Sequence, residues 1–349
     1  MTTYAHFVGS IGLDTPDEVF AAVGKAMGPH IKRCPDGEPG GRRMWVGWQW
    51  PVLRANHALE VVGNQAVGGS GLCPMRVKPG MTDGDIHFCE LGYAREARTS
   101  YLDFLEARAA GVLPKTARFQ VSLPTPRAVI SGGFIVMDDI PRVLPAYLRA
   151  MVKEAERVCA SIPHHDLAIQ WDVCMEMLQW DGRFTGHPAF MPFAGMREAF
   201  VREFAALGGA IAPDVQMGVH LCYGDLDAKH FVDPLDTEKA VELANLITAS
   251  VGRPLTWLHI PVPADRDDVA YFAPLAKLNR APDTELYLGL VHATDGAEGT
   301  LRRMKSARTI VPEFGIATEC GIARARTPAL VQEIMQVHAD AIAGSRDLG

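Results

Sequence analysis

No run of basic residues appears anywhere in these 349 residues, and 41 acidic against 34 basic side chains leave a formal net charge of −7. That balance argues against a nucleic-acid footprint or a polybasic membrane patch. Long hydrophobic runs are missing as well: no stretch reaches the length of a membrane span. The first residues, from Met1 to Phe7, lack the positive-then-apolar order of a secretory signal, so a cytoplasmic location is expected. Cysteine is sparse and irregular. Seven, at positions 34, 73, 89, 159, 174, 222 and 320, are an odd number scattered along a long chain, unlike the disulfide framework of a small secreted domain. Reduced thiols are expected, some of them free to bind metal.

What is present is a large apolar fraction, 48%, enough for a sizeable core. Apolar, β-branched runs at 5–10, 30–34, 118–123, 167–174, 215–222, 255–262, 286–292 and 314–320 read as strands. Helical patterns follow at 16–27, 99–110, 141–161, 195–207, 237–250, 267–278, 299–307 and 328–343. Thr15, Thr237 and Thr327 stand where N-caps belong, and Pro16 and Pro328 suit a first helical turn. Eight strands each followed by a helix predict an α/β fold, a (β/α)8 barrel occupying the whole chain, 1–349, with residues 5–345 forming the barrel. Two stretches are too long for barrel loops. Residues 39–98 hold Pro39-Gly40-Gly41, a glycine-rich run at 67–71 and Trp45, Trp48 and Trp50; residues 175–194 hold Trp180, His187 and Phe190. Both leave a strand on the side where barrels place their active sites, and both read as lids, as contacts within a homo-oligomer, or as coverings of one barrel end.

His220-Leu221-Cys222 carries the sharpest chemical signal. On a strand, residues i and i+2 share a face, so an imidazole and a thiol point the same way. With Cys320 returned to them by the fold, they form a ligand set that favours zinc. Two buried apolar cysteines and a hydrogen-bonded core histidine are the other reading of the same residues. Strand ends elsewhere are also polar: Gly9-Ser10, Asp36-Gly37-Glu38, Asp172, His259, His292 and Glu319 converge on one mouth if the barrel forms.

Taken in order, Val8-Gly9-Ser10, Asp36-Gly37-Glu38 with Arg42 or Arg43, Ile169-Gln170-Trp171-Asp172, Val219-His220-Leu221-Cys222-Tyr223-Gly224 and Cys320-Gly321 resemble the catalytic barrel of the cobalamin-independent methionine synthase family, with its single-barrel methyltransferases and epoxyalkane:coenzyme M transferases. The resemblance spans roughly residues 5–325, and each motif in it is short. It implies a Zn2+ cofactor on His220, Cys222 and Cys320 and transfer of a methyl or other alkyl group from a small-molecule donor to a small-molecule thiol acceptor. It implies also that Gly9 and Ser10 hold an amino-acid carboxylate, and Glu38 and Asp172 its ammonium. Asp172 and His292, the latter as a proton donor, are the catalytic candidates.

The chain departs from the family at several positions. The strand-six segment, Thr256 to Pro263, contains no carboxylate where the family supplies a glutamate ligand; His259 is the candidate replacement. Val173 follows Asp172 where the family has glutamate, and the strand-seven segment around His292 is altered. Those changes point to an acceptor other than homocysteine. The two-barrel members use an N-terminal barrel to bind folate, and 349 residues leave no room for it, which argues against a folate donor. Two further readings stand beside this one. A lyase, hydrolase or decarboxylase resembling the uroporphyrinogen decarboxylases in architecture would have a metal-free mouth with Arg42 and Arg43 clamping carboxylates. A noncatalytic metal- or ligand-binding relative would keep the ligands alone.

Overall fold

The computed structural model describes residues 2–63 and 72–348. The glycine-rich run expected at 67–71 lies outside them. Eight parallel strands form one sheet: β1 (Ala5–His6), β2 (Arg33–Pro35), β5 (Arg118–Pro124), β6 (Leu167–Val173), β7 (Gln216–Leu221), β8 (Trp257–Pro261), β9 (Glu285–Gly289) and β10 (Gly315–Ala317). Their order, β1-β10-β9-β8-β7-β6-β5-β2, runs around a barrel. Parallel bridges Ala5–Ile31 and Ser10–Gly37 join its two ends. The chain is a (β/α)8 barrel, with every expected strand present.

Helices cover the outside, so the strands are buried on both faces; all seven residues of β6 are buried. Helix α1 (Pro16–Met27) shows why: Val19, Phe20, Val23 and Met27 fall on one face, and Thr15 accepts the Glu18 N–H as the N-cap. Thr327 caps α11 (Pro328–Gly344) in the same way. Thr237 does not cap α8 (Glu238–Ser250); its hydroxyl donates instead to the carbonyl oxygen of Tyr271. The helix expected over 267–278 divides into α9 (Val269–Phe272) and a 3-10 turn, Ala273–Lys277.

The interior is a stack of side chains. At the floor, Arg33 bonds Glu285 and Gln216 and lies 4.2 Å over the Trp257 ring. Above it Gln170, Gly218 and Trp257 share one register row. A Cβ at Gly218 would lie 1.9 Å from the Trp257 indole, so only glycine leaves room for that ring. The next row up is Asp172, His220 and His259, at the mouth.

Both long stretches lie at that mouth. Residues 39–98 contain α2 (Trp50–Arg54) and an antiparallel pair, β3 (Leu59–Val61) and β4 (Met75–Val77), before α3 (Tyr93–Ala109) begins. Residues 175–194 open with α6 (Met175–Asp181). A third elaboration, α4 (Pro126–Val129) and a π-turn at Ile130–Phe134, follows β5 and precedes α5 (Ile140–Ser161). The remaining outer helices are α7 (Met196–Gly209) and α10 (Gly296–Arg308). No helix among the described residues is long and apolar enough to cross a membrane.

Candidate metal centre and substrate cavity

Alternation along β7 turns His220 inward, and Cys222 follows two residues later on the same side. Cys320 returns to them just beyond β10. One nitrogen of His220 and the two sulfurs lie within 4.8 Å of one another, all three residues buried. The sulfurs are 3.5 Å apart. Two thiolates on one tetrahedral zinc, with bonds of about 2.3 Å, stand roughly 3.8 Å apart.

Hydrogen bonding selects the nitrogen. His259 Nε2 is 3.0 Å from the Thr318 carbonyl oxygen, an acceptor only, so that nitrogen carries the proton and donates. His259 Nδ1 is therefore a lone pair, and His220 Nδ1, 2.6 Å away, donates to it. This leaves His220 Nε2 as a bare lone pair, buried and without a hydrogen-bond partner. Burial holds both imidazoles neutral, His259 down at about 3 and His220 well below its ordinary value. A neutral imidazole fixed by its other nitrogen is the form that binds a metal. The thiols, by contrast, are pushed well above their ordinary values: Cys222 first by the neighbouring Cys174 thiol, Cys320 first by Cys222. Two thiols crowded out of water ionise together only beside a cation. The trio fits zinc in donor type, spacing and orphaned lone pair.

A cavity of about 400 Å3 opens onto these ligands. Gly9, Ser10, Glu38 and Asp172 line it together with His220, Cys222 and Cys320. Gly9 is packed so closely that a Cβ there would sit 2.9 Å from Ser122 Oγ, and Gly321 lets Ser10 approach in the same way. Glu38 adopts φ +53° and is held by its own N–H donating to Asp36 Oδ1. Gln170 aims Asp172: its amide nitrogen donates to Asp172 Oδ1 and the Val8 carbonyl, while its oxygen lies 2.8 Å from His6 Nε2 and accepts from Trp257. Burial raises the Glu38 carboxyl to about 7, and burial with the nearby Glu38 charge raises Asp172 well above the carboxylate range. Arg324 opposes both rises, and Arg42 opposes that of Glu38.

Two expected residues are not brought into the cavity. His259 has both ring nitrogens engaged and orients His220. His292 does not line the cavity; its Nε2 bonds the Val262 carbonyl oxygen, its Nδ1 lies 3.7 Å from Glu319, and burial holds it at about 4. Arg42 and Arg43 are also occupied, the first by Asp36 at 2.6 Å and the second by Leu13 and Asp14.

Other groups were missed in the sequence reading. Cys174 lines the cavity directly after β6, where register with β7 sets it beside Cys222; continuing the Val173–Leu221 pairing by one residue would have found it. Arg324 lies 4.0 Å from Cys320 Sγ and is tied to Asp225, which also takes both arms of Arg326. No short motif marks that cation, because the loop after β10 alone delivers it.

No protein-family model matches the chain, and no curated protein sequence does. Solved structures do. A B12-independent methionine synthase from Shewanella sp. W3-18-1, in complex with selenomethionine, is 12% identical with a TM-score of 0.63, over 99% of this chain and 98% of that one. A candidate vitamin B12-independent methionine synthase from Listeria monocytogenes is 15% identical with a TM-score of 0.60, over 100% of this chain and 98% of that one. A methyltransferase from Methanosarcina mazei is 12% identical with a TM-score of 0.52, covering 99% and 94%. These likenesses establish that the chain shares their (β/α)8 fold over nearly its whole length.

Proposed function

We propose that this protein is a zinc-dependent transferase that moves a methyl or other alkyl group onto a thiol other than homocysteine. The observation that carries the reading is a buried His220 whose Nε2 has no hydrogen-bond partner, in a cluster with two sulfurs 3.5 Å apart. His220, Cys222 and Cys320 would hold the zinc, which would supply the Lewis acidity that lowers the pKa of a substrate thiol. The chain's own residues arrange the rest. His259 hydrogen-bonds the imidazole, Arg324 sets positive charge beside Cys320, and Glu38 with Asp172 makes the polar end of the cavity. Gly9 and Ser10 line that end, Gly9 with backbone that leaves no room for a Cβ. The methionine synthases among the structural neighbours support this class of chemistry. A decarboxylase-type mouth, with Arg42 and Arg43 free to clamp carboxylates, is disfavoured by their engagement with Asp36, Leu13 and Asp14.

Metal analysis of protein purified without added metal tests this reading. We expect one zinc per chain in the wild type and its loss in Cys222→Ser and in Cys320→Ser, with the cooperative thermal transition kept, because the barrel core is complete without the ion. Full zinc occupancy in both variants would overturn the ligand assignment.

A further inference from the structure

Much of the cavity lining is apolar. Three phenylalanines from two different loops meet there: Phe184 and Phe190, from the stretch after α6, have ring centroids 5.5 Å apart, and Phe231, from the loop after β7, lies 5.3 Å and 5.7 Å from them. The panel is built with care in the backbone. Gly224, at φ +97°, seats Phe231, since a Cβ there would lie 2.2 Å from its ring, and the Phe231 N–H donates to the Tyr223 carbonyl oxygen. Facing the panel are Trp45 and Val46 from the first long stretch and the bare backbone of Gly132 and Gly133 in the π-turn after β5. Its ionisable and hydroxyl groups are Ser10, Glu38, Asp172, Asp225 and Arg324, which share the lining with the candidate metal ligands, and His187, whose ring lies 5.1 Å from that of Phe190. At the mouth the apolar rim continues into water, with Met44 52% and Leu226 46% exposed.

This division of polarity is unlike a site made for an amino-acid-sized thiol. A small polar acceptor would satisfy the polar end and leave the aromatic panel and the glycine wall against water. From this geometry we infer that the substrate thiol carries a bulky apolar tail ending in a ring, its sulfur toward Cys222 and Cys320 and its ring on Phe184, Phe190 and Phe231. The inference rests on the thiol-transfer reading for where the sulfur lies, and on the cavity alone for the tail. Stacked and edge-on contacts with three rings favour an aromatic tail over a polar one, and a largely apolar cavity of this size is ordinary for small-molecule recognition.

The probes are phenylalkanethiols with one to four methylenes between ring and sulfur, set against 2-mercaptoethanol and homocysteine, with binding to the zinc-loaded protein measured by calorimetry. Affinity is expected to rise about fourfold per added methylene until the box is filled, and the best phenylalkanethiol is expected to exceed homocysteine by more than tenfold. The matching phenylalkanols, which have no sulfur, are expected to bind chelator-treated, metal-free protein in the same rank order. Phe190→Ala should flatten the series. Because removing a packed ring can also loosen the fold, Gly132→Phe is the second variant. A Cβ at Gly132 meets nothing nearer than Val46 at 3.8 Å, so the new ring can enter the cavity, fill it and weaken the longer probes at least tenfold. A series with no dependence on chain length, or homocysteine binding best, in protein that holds its zinc would overturn the apolar tail. A graded alcohol series in protein that never binds zinc would leave the apolar tail standing and overturn the thiol-transfer reading instead.

Discussion

At His220 the nitrogen left free for a metal is chosen by His259, which does not line the cavity. The Thr318 carbonyl takes the Nε2 proton of His259, His259 takes the Nδ1 proton of His220, and the remaining His220 nitrogen has no hydrogen-bond partner. Removing that relay frees the imidazole to rotate and to choose its tautomer. His259→Ala is therefore expected to weaken zinc binding about 10- to 100-fold while leaving His220 as the ligand, read by competition with a chromophoric chelator. Unchanged affinity would show that the relay does not position His220. The sequence made part of this legible. Period-2 alternation set His220 and Cys222 on one face, and charged or polar strand ends flagged Glu38, Asp172 and Cys320. The division of labour between His220 and His259 was not legible, because two histidines in one register row differ only in what the next strand offers them. His292 shows the same limit: its strand end is polar in sequence, yet the Val262 carbonyl draws its ring away from the cavity.

Among elements, strands were read more faithfully than the loops that follow them. Buried parallel strands announce themselves as apolar runs, and all eight were found. The helix α1 was legible to its ends because a capping threonine, a proline and an apolar face agree. Less visible were α4 and the π-turn behind it, whose shape depends on Gly133 at φ +96° and on packing at the mouth rather than on any period. Helix α6 was read as part of an insertion, and it carries a consequence for stability. Glu176, in its first turn, is 2% exposed, and burial raises its carboxyl to about 7 from an ordinary 4.5. The folded chain thus holds this proton more tightly than the unfolded one. The stabilisation is full below about pH 4.5 and is lost as pH rises through about 7, at most about 3 kcal/mol. Glu176→Gln mimics the protonated form, so its unfolding midpoint relative to wild type should climb between pH 5 and pH 8. A difference that stays constant across that range would mean that Glu176 does not titrate there.

For the molecule as a whole, the barrel does what its topology dictates: strands that are remote in sequence deliver their ends to one mouth, and the long stretches become its walls. The (β/α)8 class followed from counting strands and helices. The character of the cavity did not, since it is assembled from 44–47, 128–134, 184–190 and Phe231, segments with no shared pattern along the chain. A buried His220–Cys222–Cys320 cluster at one end of a largely apolar cavity is the arrangement on which the proposed function depends. Zinc K-edge X-ray absorption on the wild-type protein, purified without added metal, probes that arrangement directly. One imidazole nitrogen at about 2.0 Å and two sulfurs at about 2.3 Å are expected, with a third sulfur joining the shell when a substrate thiol is added. A shell without sulfur, two imidazole nitrogens in place of one, or no zinc at all would contradict it.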